Sequence, residues 1–584
     1  MRAPLVLAAL LVSLIAGSVT HLSTALSAPS NDVSVIFGGN GYDTGLGTTD
    51  SMGNTYVTGG TESSDFPVSS QAAQTGYAGG GDAFVTKIDP DGSIVYSTYL
   101  GGDGLDEGRG VAVDPAGYLW VIGYTGSNDF PARGGADMTL GGDSDVFIAR
   151  LAPDGSLVSS TLFGGNGADR AYALALDASG NAYVTGETTG LNFPTTTDAF
   201  DRTPNGDIDA FATKFSPSAD IVYSSLLGSP GFDNGLAITV DGAGSAYVTG
   251  KASGGYPVTP GAFDTTQNGG YDMFVTKLNT SGSALTYSTY VGGDSWDEGL
   301  GIAVDGDGNA YFTGNVQSPN YPVTPGAVGG ALKGSVGAAA TKLNPAGSAL
   351  VYSGVIGGSN WDEGDALSVD STGAAYISGH QASSDFPTTE GALDRSFGGE
   401  VDGFLTKVDP SGTRLMYSTF VGGNGWDGAM AMAVDDAGRA FLTGATSSGD
   451  YPGAFAGSSR GGHDIFSTTI NTGAQPEPEP EPEPSFTLSV APATQSIVRG
   501  DSTTYTAIVT TDAATPAVTL SIAGLPEGAT ATFVPPGEDS TTITVQTSQS
   551  TPPGSYELTV TGRSGDVNRT ATVRLDVHCC PRPE

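Results

Sequence analysis

The sequence repeats itself. Residues 287–322, YSTYVGGDSWDEGLGIAVDGDGNAYFTGNVQSPNYP, recur in near-copies along most of the chain, as far as about residue 470. Each copy carries a Gly-Gly step, beginning at Gly38, Gly101, Gly164, Gly228 (followed there by Ser229), Gly292, Gly357 and Gly422. The spacings are 63, 63, 64, 64, 65 and 65 residues, which makes seven copies. Self-similarity at a fixed period constrains the fold before any local propensity does. Within the fifth copy, residues 284–290, 300–305, 310–313 and 338–343 read as four short strands, and none is long enough for a helix. The turns agree. An Asp followed three residues later by Gly closes each inner hairpin, as in Asp114/Gly117, Asp241/Gly244 and Asp305/Gly308. Asp bonds its own backbone at such a turn, and Gly takes the left-handed position.

Four strands repeated seven times predict a seven-bladed β-propeller. A linear solenoid would need capping repeats at its ends, and none is visible. The first copy opens with an unpaired outer-strand segment, residues 33–37, and the last ends with a third strand, residues 464–470. Pairing these two closes the ring and leaves no exposed sheet edge. The units resemble the bacterial seven-bladed propeller repeats called SBBP, and their inner half is similar to NHL-type blades. The matching residues are GIAVD at 301–305 and GNAYFTG at 308–314. The resemblance implies the fold and little about activity, because propellers host many unrelated functions.

Residues 1–28 read as a secretory signal peptide, with Arg2 followed by an apolar core at 5–16 that is short for a bilayer span; a retained membrane anchor is the alternative. No Cys follows that core to accept a lipid, and no later stretch is apolar enough for a membrane span. The propeller takes residues 29–471, and 472–484 are a linker whose QPEPEPEPEP run stays extended at roughly 3 Å per residue. Residues 485–578 carry strand patterns at 485–490, 503–510, 517–522, 541–546, 556–561 and 570–577, which suggest an Ig-like β-sandwich without the Cys…Trp…Cys core. Residues 579–584 form a tail; Cys579 and Cys580 with His578 do not make a four-ligand zinc site. The expected locale is outside the cell or on its surface. Twenty-two Lys and Arg against 62 Asp and Glu give a net charge of −40, which sets aside nucleic acid and anionic membranes as partners.

Long loops of about 19–22 residues join the second and third strands, on the same face as the loops entering each inner strand. Long loops on a rigid scaffold carry function. An Asp stands five residues after the first Gly of every copy: Asp43, Asp106, Asp169, Asp233, Asp297, Asp362 and Asp427. Seven carboxylates at the mouth of a central channel form a candidate cation site, for which Ca²⁺ is the fitting ion. The alternative is a structural tie in which each accepts N–H groups of its own loop. The preceding residues are Tyr42, Leu105, Ala168, Phe232, Trp296, Trp361 and Trp426. The pairs Trp296–Asp297, Trp361–Asp362 and Trp426–Asp427 are the ligand-binding candidates, since Trp faces beside carboxylates can hold sugars. Apolar wedges between blades would also want bulk there. Thr259-Pro260 and Thr324-Pro325 suggest single helical turns within two long loops.

No catalytic residues are assigned. His380 and His463 fall in different loops on this reading, the Asp305–Asn309 run departs from an EF-hand, and no phosphate-cradling motif is present. No cofactor is required. The leading expectation is a monomeric, exported, non-enzymatic propeller that binds an extracellular glycan or protein. A secreted hydrolase or lyase using Asp residues on the long-loop face, and a structural envelope component, are the alternatives.

Overall fold

The computed structural model describes residues 34–49, 53–135, 137–435, 437–452, 461–472, 486–511, 518–534, 540–564 and 567–579. The expected signal peptide, the linker apart from Thr472, and the tail beyond Cys579 lie outside them. The chain divides into two compact units, Met1–Gly473 and Ala474–Glu584. Among the described residues every regular element is a strand, and no helix is long and apolar enough to cross a membrane.

The first unit consists of repeated four-stranded, propeller-like blades, all but the last an antiparallel meander in chain order. The fifth copy shows the pattern: Asp297–Val304, Ala310–Val316, Gly337–Leu343 and Leu350–Ile356. First strands of successive sheets pack on one another, and Asp427–Val434 packs on Asp43–Thr49. The short strand Ser34–Phe37 pairs with Asp464–Asn471 as the fourth strand of the last sheet. Second and third strands are buried along nearly their whole length, because neighbouring sheets cover both of their faces. The apolar cores therefore lie between sheets: Tyr247, Met273 and Val291 of one pack with Ile302, Phe312 and Leu343 of the next.

The first strand of the fifth copy begins three residues earlier than its sequence pattern shows. The reason is a β-bulge. Gly299 pairs with Gly314 and Gly301 with Thr313, so Leu300 is the extra residue and breaks the period-two alternation. The turns at Thr259 and Thr324 are also corrected. Ala262 N–H bonds the Thr259 carbonyl at 3.2 Å around Pro260-Gly261, with Gly261 at φ +83°, which is a tight turn and no helix.

The second unit has two four-stranded sheets, including strands Thr494–Val498 and Thr530–Val534 that the sequence pattern missed. Its core joins Tyr505 and Ile543 of one sheet to Leu558 and Val573 of the other.

Candidate functional site

A cavity of about 800 Å³ lies at the centre of the first unit, lined by residues from all seven first strands. The bulges create much of its lining. In six of the seven first strands the register slips after the second or third residue, at Arg109, Tyr172, Leu236, Leu300, Asp365 and Ala429–Met430. An extra residue in a strand re-aims its side chain. Arg109, Tyr172, Leu236, Leu300, Asp365 and Met430 all line the cavity.

Above this level the first and second strands of each sheet present one facing pair, and the pair differs from sheet to sheet. The pairs are Thr44–Gly60, Glu107–Tyr124, Arg170–Glu187, Asn234–Lys251, Glu298–Asn315, Glu363–His380 and Gly428–Ala445. Five are polar, and they bond both within and between sheets. Arg109 reaches Glu107 at 3.0 Å, Arg170 reaches Glu187 at 3.1 Å, and Asn234 donates to Glu187. Lys251 pairs with Glu298 at 2.8 Å, and Asn315 donates to Glu298 at 3.1 Å. The remaining two pairs are small, so the polar belt is open over the last and first sheets.

His380 closes one end of that belt. It lies on the strand Ala375–Gln381, which corrects its placement in a loop. Its Nδ1 is 2.6 Å from Asp365 Oδ2 and its Nε2 is 3.8 Å from Glu363 Oε2. Among the described residues these three form a group whose donor atoms all lie within 4.8 Å of one another. Burial lowers the His380 pKa, but the Asp365 and Glu363 carboxylates outweigh it and hold the imidazole above its usual value. Burial raises Glu363.

Aromatic rings continue the arc across the open part of the belt. Trp361 meets His380 edge-on at 4.8 Å, His380 meets Trp426 at 5.6 Å, Trp426 meets His463 at 4.9 Å, and His463 meets Tyr42 at 4.8 Å. Trp361 Nε1 donates to Glu363 Oε1 at 2.8 Å. Gly428 makes room for Trp426: a Cβ there would lie 2.7 Å from the indole Cη2. Trp296 stands apart from this arc, 41 % exposed, against Tyr271 and beneath the Lys251 ammonium.

The seven Asp residues after the Gly-Gly steps are buried. One oxygen of each accepts the N–H four residues earlier, at 2.5–2.8 Å. Ser63, Ser127, Ser318, Ser383 and Ser448 donate hydroxyls to the same oxygen of five of them. Their own N–H groups bond the preceding sheet, as Asp297 does to the Tyr271 carbonyl at 2.8 Å. Burial raises all seven pKa values, Asp233 to about 6. The structure thus brings Trp361, Trp426 and His380 together and turns Asp297, Asp362 and Asp427 into their own loops.

Sequence reasoning missed Glu363, Asp365 and His380. The signal available was disagreement among the copies: Gly60, Tyr124, Glu187, Lys251, Asn315, His380 and Ala445 occupy one position of an otherwise repeated strand.

The SBBP beta-propeller repeat family matches residues 95–131 and 160–194. No curated protein matches the chain. Among solved structures, the cobalt-substituted apocarotenoid oxygenase of Synechocystis is 11 % identical at a TM-score of 0.30, covering 69 % of this chain and 96 % of that one. The four N-terminal Ig domains of Dscam1 isoform 8.4 align at 10 % identity and a TM-score of 0.12, covering 58 % of this chain and 96 % of that one. Likenesses this low carry no argument about this chain.

Proposed function

We propose that this chain, which carries SBBP β-propeller repeats, is an exported binding protein that takes an extracellular glycan at the mouth of its central cavity. One observation carries the reading. The blades repeat one another in their scaffold and differ at the side chains that converge on a single cavity. Uniform positions build the fold, and blade-specific positions are free to recognise something. A volume of about 800 Å³ suits a small ligand or the end of a chain. The Trp361 and Trp426 rings offer apolar faces to sugar C–H groups, and the Glu, Asn, Lys and His belt offers partners for hydroxyls. Trp296 extends the rim.

The same reading takes the first unit as a seven-bladed ring closed by Ser34–Phe37, supported by that strand's pairing with Asp464–Asn471. Residues 1–28 direct export, 472–484 act as a spacer, and 485–578 are an Ig-like sandwich, supported by its two sheets around one core.

The test is a glycan panel screened with the full chain and with a Trp361→Ala/Trp426→Ala variant. Binding by the parent and its loss from a variant of unchanged thermal midpoint is the expected result. Binding that survives the double change moves the ligand elsewhere, and no glycan binding leaves a protein ligand in its place. A second reading, hydrolysis of the bound ligand, is favoured by the Asp365–His380 hydrogen bond on the cavity wall. An Asp-held imidazole can move a proton. New reducing ends released by the parent and abolished by His380→Ala would establish it.

A further inference from the structure

We propose that five of the sheet-to-sheet junctions bind Ca²⁺, on Asp82, Asp145, Asp209, Asp272 and Asp402. These residues open the third strands of their sheets, and each is at most 2 % exposed. Oδ2 of each accepts the N–H of the residue four earlier, at 2.7–2.9 Å. Oδ1 has no hydrogen-bond partner in any of the five. A buried carboxylate oxygen left unpaired is costly, and its recurrence at equivalent places points to a missing partner rather than a local accident.

At three of the five junctions the orphaned group faces a second carboxylate across a glycine. A Cβ built on Gly164 would lie 2.5 Å from Asp145 Oδ1 and 2.7 Å from Asp169 Oδ2. On Gly422 the corresponding distances are 2.9 Å to Asp402 Oδ1 and 2.8 Å to Asp427 Oδ2. On Gly101 they are 2.8 Å to Asp82 Cγ and 2.8 Å to Asp106 Oδ2. At these three junctions the first glycine of the Gly-Gly step is thus flanked by two acidic side chains, one from each of two adjoining sheets, and at Gly228 and Gly292 a Cβ would meet Asp209 and Asp272 in the same way. Two buried like charges need either a proton or a cation between or beside them.

The fifth sheet distinguishes these. There Gly337 replaces the Asp, and Lys333, four residues earlier, places its ammonium 3.4 Å from the carbonyl oxygen of Gly357, the first glycine of that junction. Asp with a divalent cation carries a net charge of +1, as do Gly and Lys together. Asp with a proton carries none. The junction without the carboxylate supplies its own cation, so the charge balance favours a divalent ion at the others. The donors shown are carboxylate oxygens, with neither His nor Cys among them, which selects Ca²⁺ over transition metals. Asp464 takes the equivalent place in the last sheet, beside residues outside the described set, and is not counted.

The test uses the full-length protein freed of metal with EGTA and titrated with CaCl₂ by calorimetry, alongside thermal unfolding. Expected are a raised thermal midpoint, more than one and up to five Ca²⁺ per chain, and a much weaker response to Mg²⁺. Asp145→Asn and Asp272→Asn should each remove one Ca²⁺ per chain while the other sites still fill. The Lys333→Ala/Gly337→Asp exchange should add one. No heat and no midpoint shift in the parent at millimolar Ca²⁺ would overturn the proposal. So would a stoichiometry that neither the Asn variants nor the exchange alters, because that is diffuse binding to a chain of net charge −40. If an Asn variant fails to fold, displacement of Tb³⁺ by Ca²⁺ in the parent still counts the sites.

Discussion

Asp297 accepts three backbone N–H groups, from Gly293 at 2.8 Å, Gln317 at 3.1 Å and Ser318 at 3.3 Å, and the Ser318 hydroxyl at 2.6 Å. No water replaces those partners, since the carboxylate is wholly buried. Asp297→Ala would strand several donors at once, and each stranded buried donor costs on the order of 1–3 kcal/mol. We expect a loss of about 3 kcal/mol, partly relieved by local rearrangement, read as a lower urea midpoint with little change in slope. Trp296→Ala, one residue earlier, should cost much less, because its ring is 41 % exposed while the Asp297 side chain is wholly buried. Adjacent residues thus divide the work: one ties the loop, and its neighbour is free to face solvent.

At the scale of the element, glycine serves two different ends in the inner hairpins. Gly308 lies at φ +84° after Asp305, where its N–H bonds the Asp305 carbonyl at 3.0 Å. Gly308→Ala meets no crowding from backbone and should cost only about 1–2 kcal/mol of conformational strain. Gly250 is the other case: a Cβ there would lie 1.9 Å from the Asn234 carbonyl oxygen of the paired strand. Gly250→Ala must push two strands apart opposite the bulge, and we expect little soluble folded protein, measured by expression and circular dichroism. Equivalent close approaches occur at Gly59, Gly123, Gly186, Gly314, Gly379 and Gly444, which explains that glycine in every copy.

The inner hairpins also set an acid limit. Burial pushes Asp241, Asp305 and Asp370 up, but N–H, side-chain and Lys donors outweigh it and hold all three below 3.8. A carboxyl depressed in the folded state contributes stability that is present above its unfolded value and lost as the pH falls through the folded one. Unfolding should therefore set in below about pH 3.8, and Asp305→Asn should reduce the steepness of that acid transition, followed by far-ultraviolet circular dichroism.

At the scale of the whole molecule, four residues join the two ends of the first unit. Val35, Ile36 and Phe37 are buried, and Ser34–Phe37 supplies the last strand of a sheet whose other strands come from residues 427–471. Deleting residues 34–37 would bare the edge of Asp464–Asn471 and uncover cores on either side of it. We expect a lower thermal midpoint and self-association by size-exclusion chromatography.

The repeat period, the four strands of each copy and the inner hairpin turns were legible because they depend on local patterns that seven copies reinforce. First-strand starts were not, since a bulge at Leu300 or Asp365 breaks the alternation by which a strand is recognised. The Asp82 series was present in the sequence but unmarked, because a carboxylate opening a strand carries no sign of whether its oxygen will find a partner. The sequence by itself determined the repeated scaffold. Only the tertiary structure decided the site: His380, Trp361 and Trp426 come from neighbouring sheets, and Tyr42 comes from the far end of the unit. Periodicity records what the copies share, whereas the cavity gathers the positions where they differ, and distance in the chain says nothing about distance between sheets.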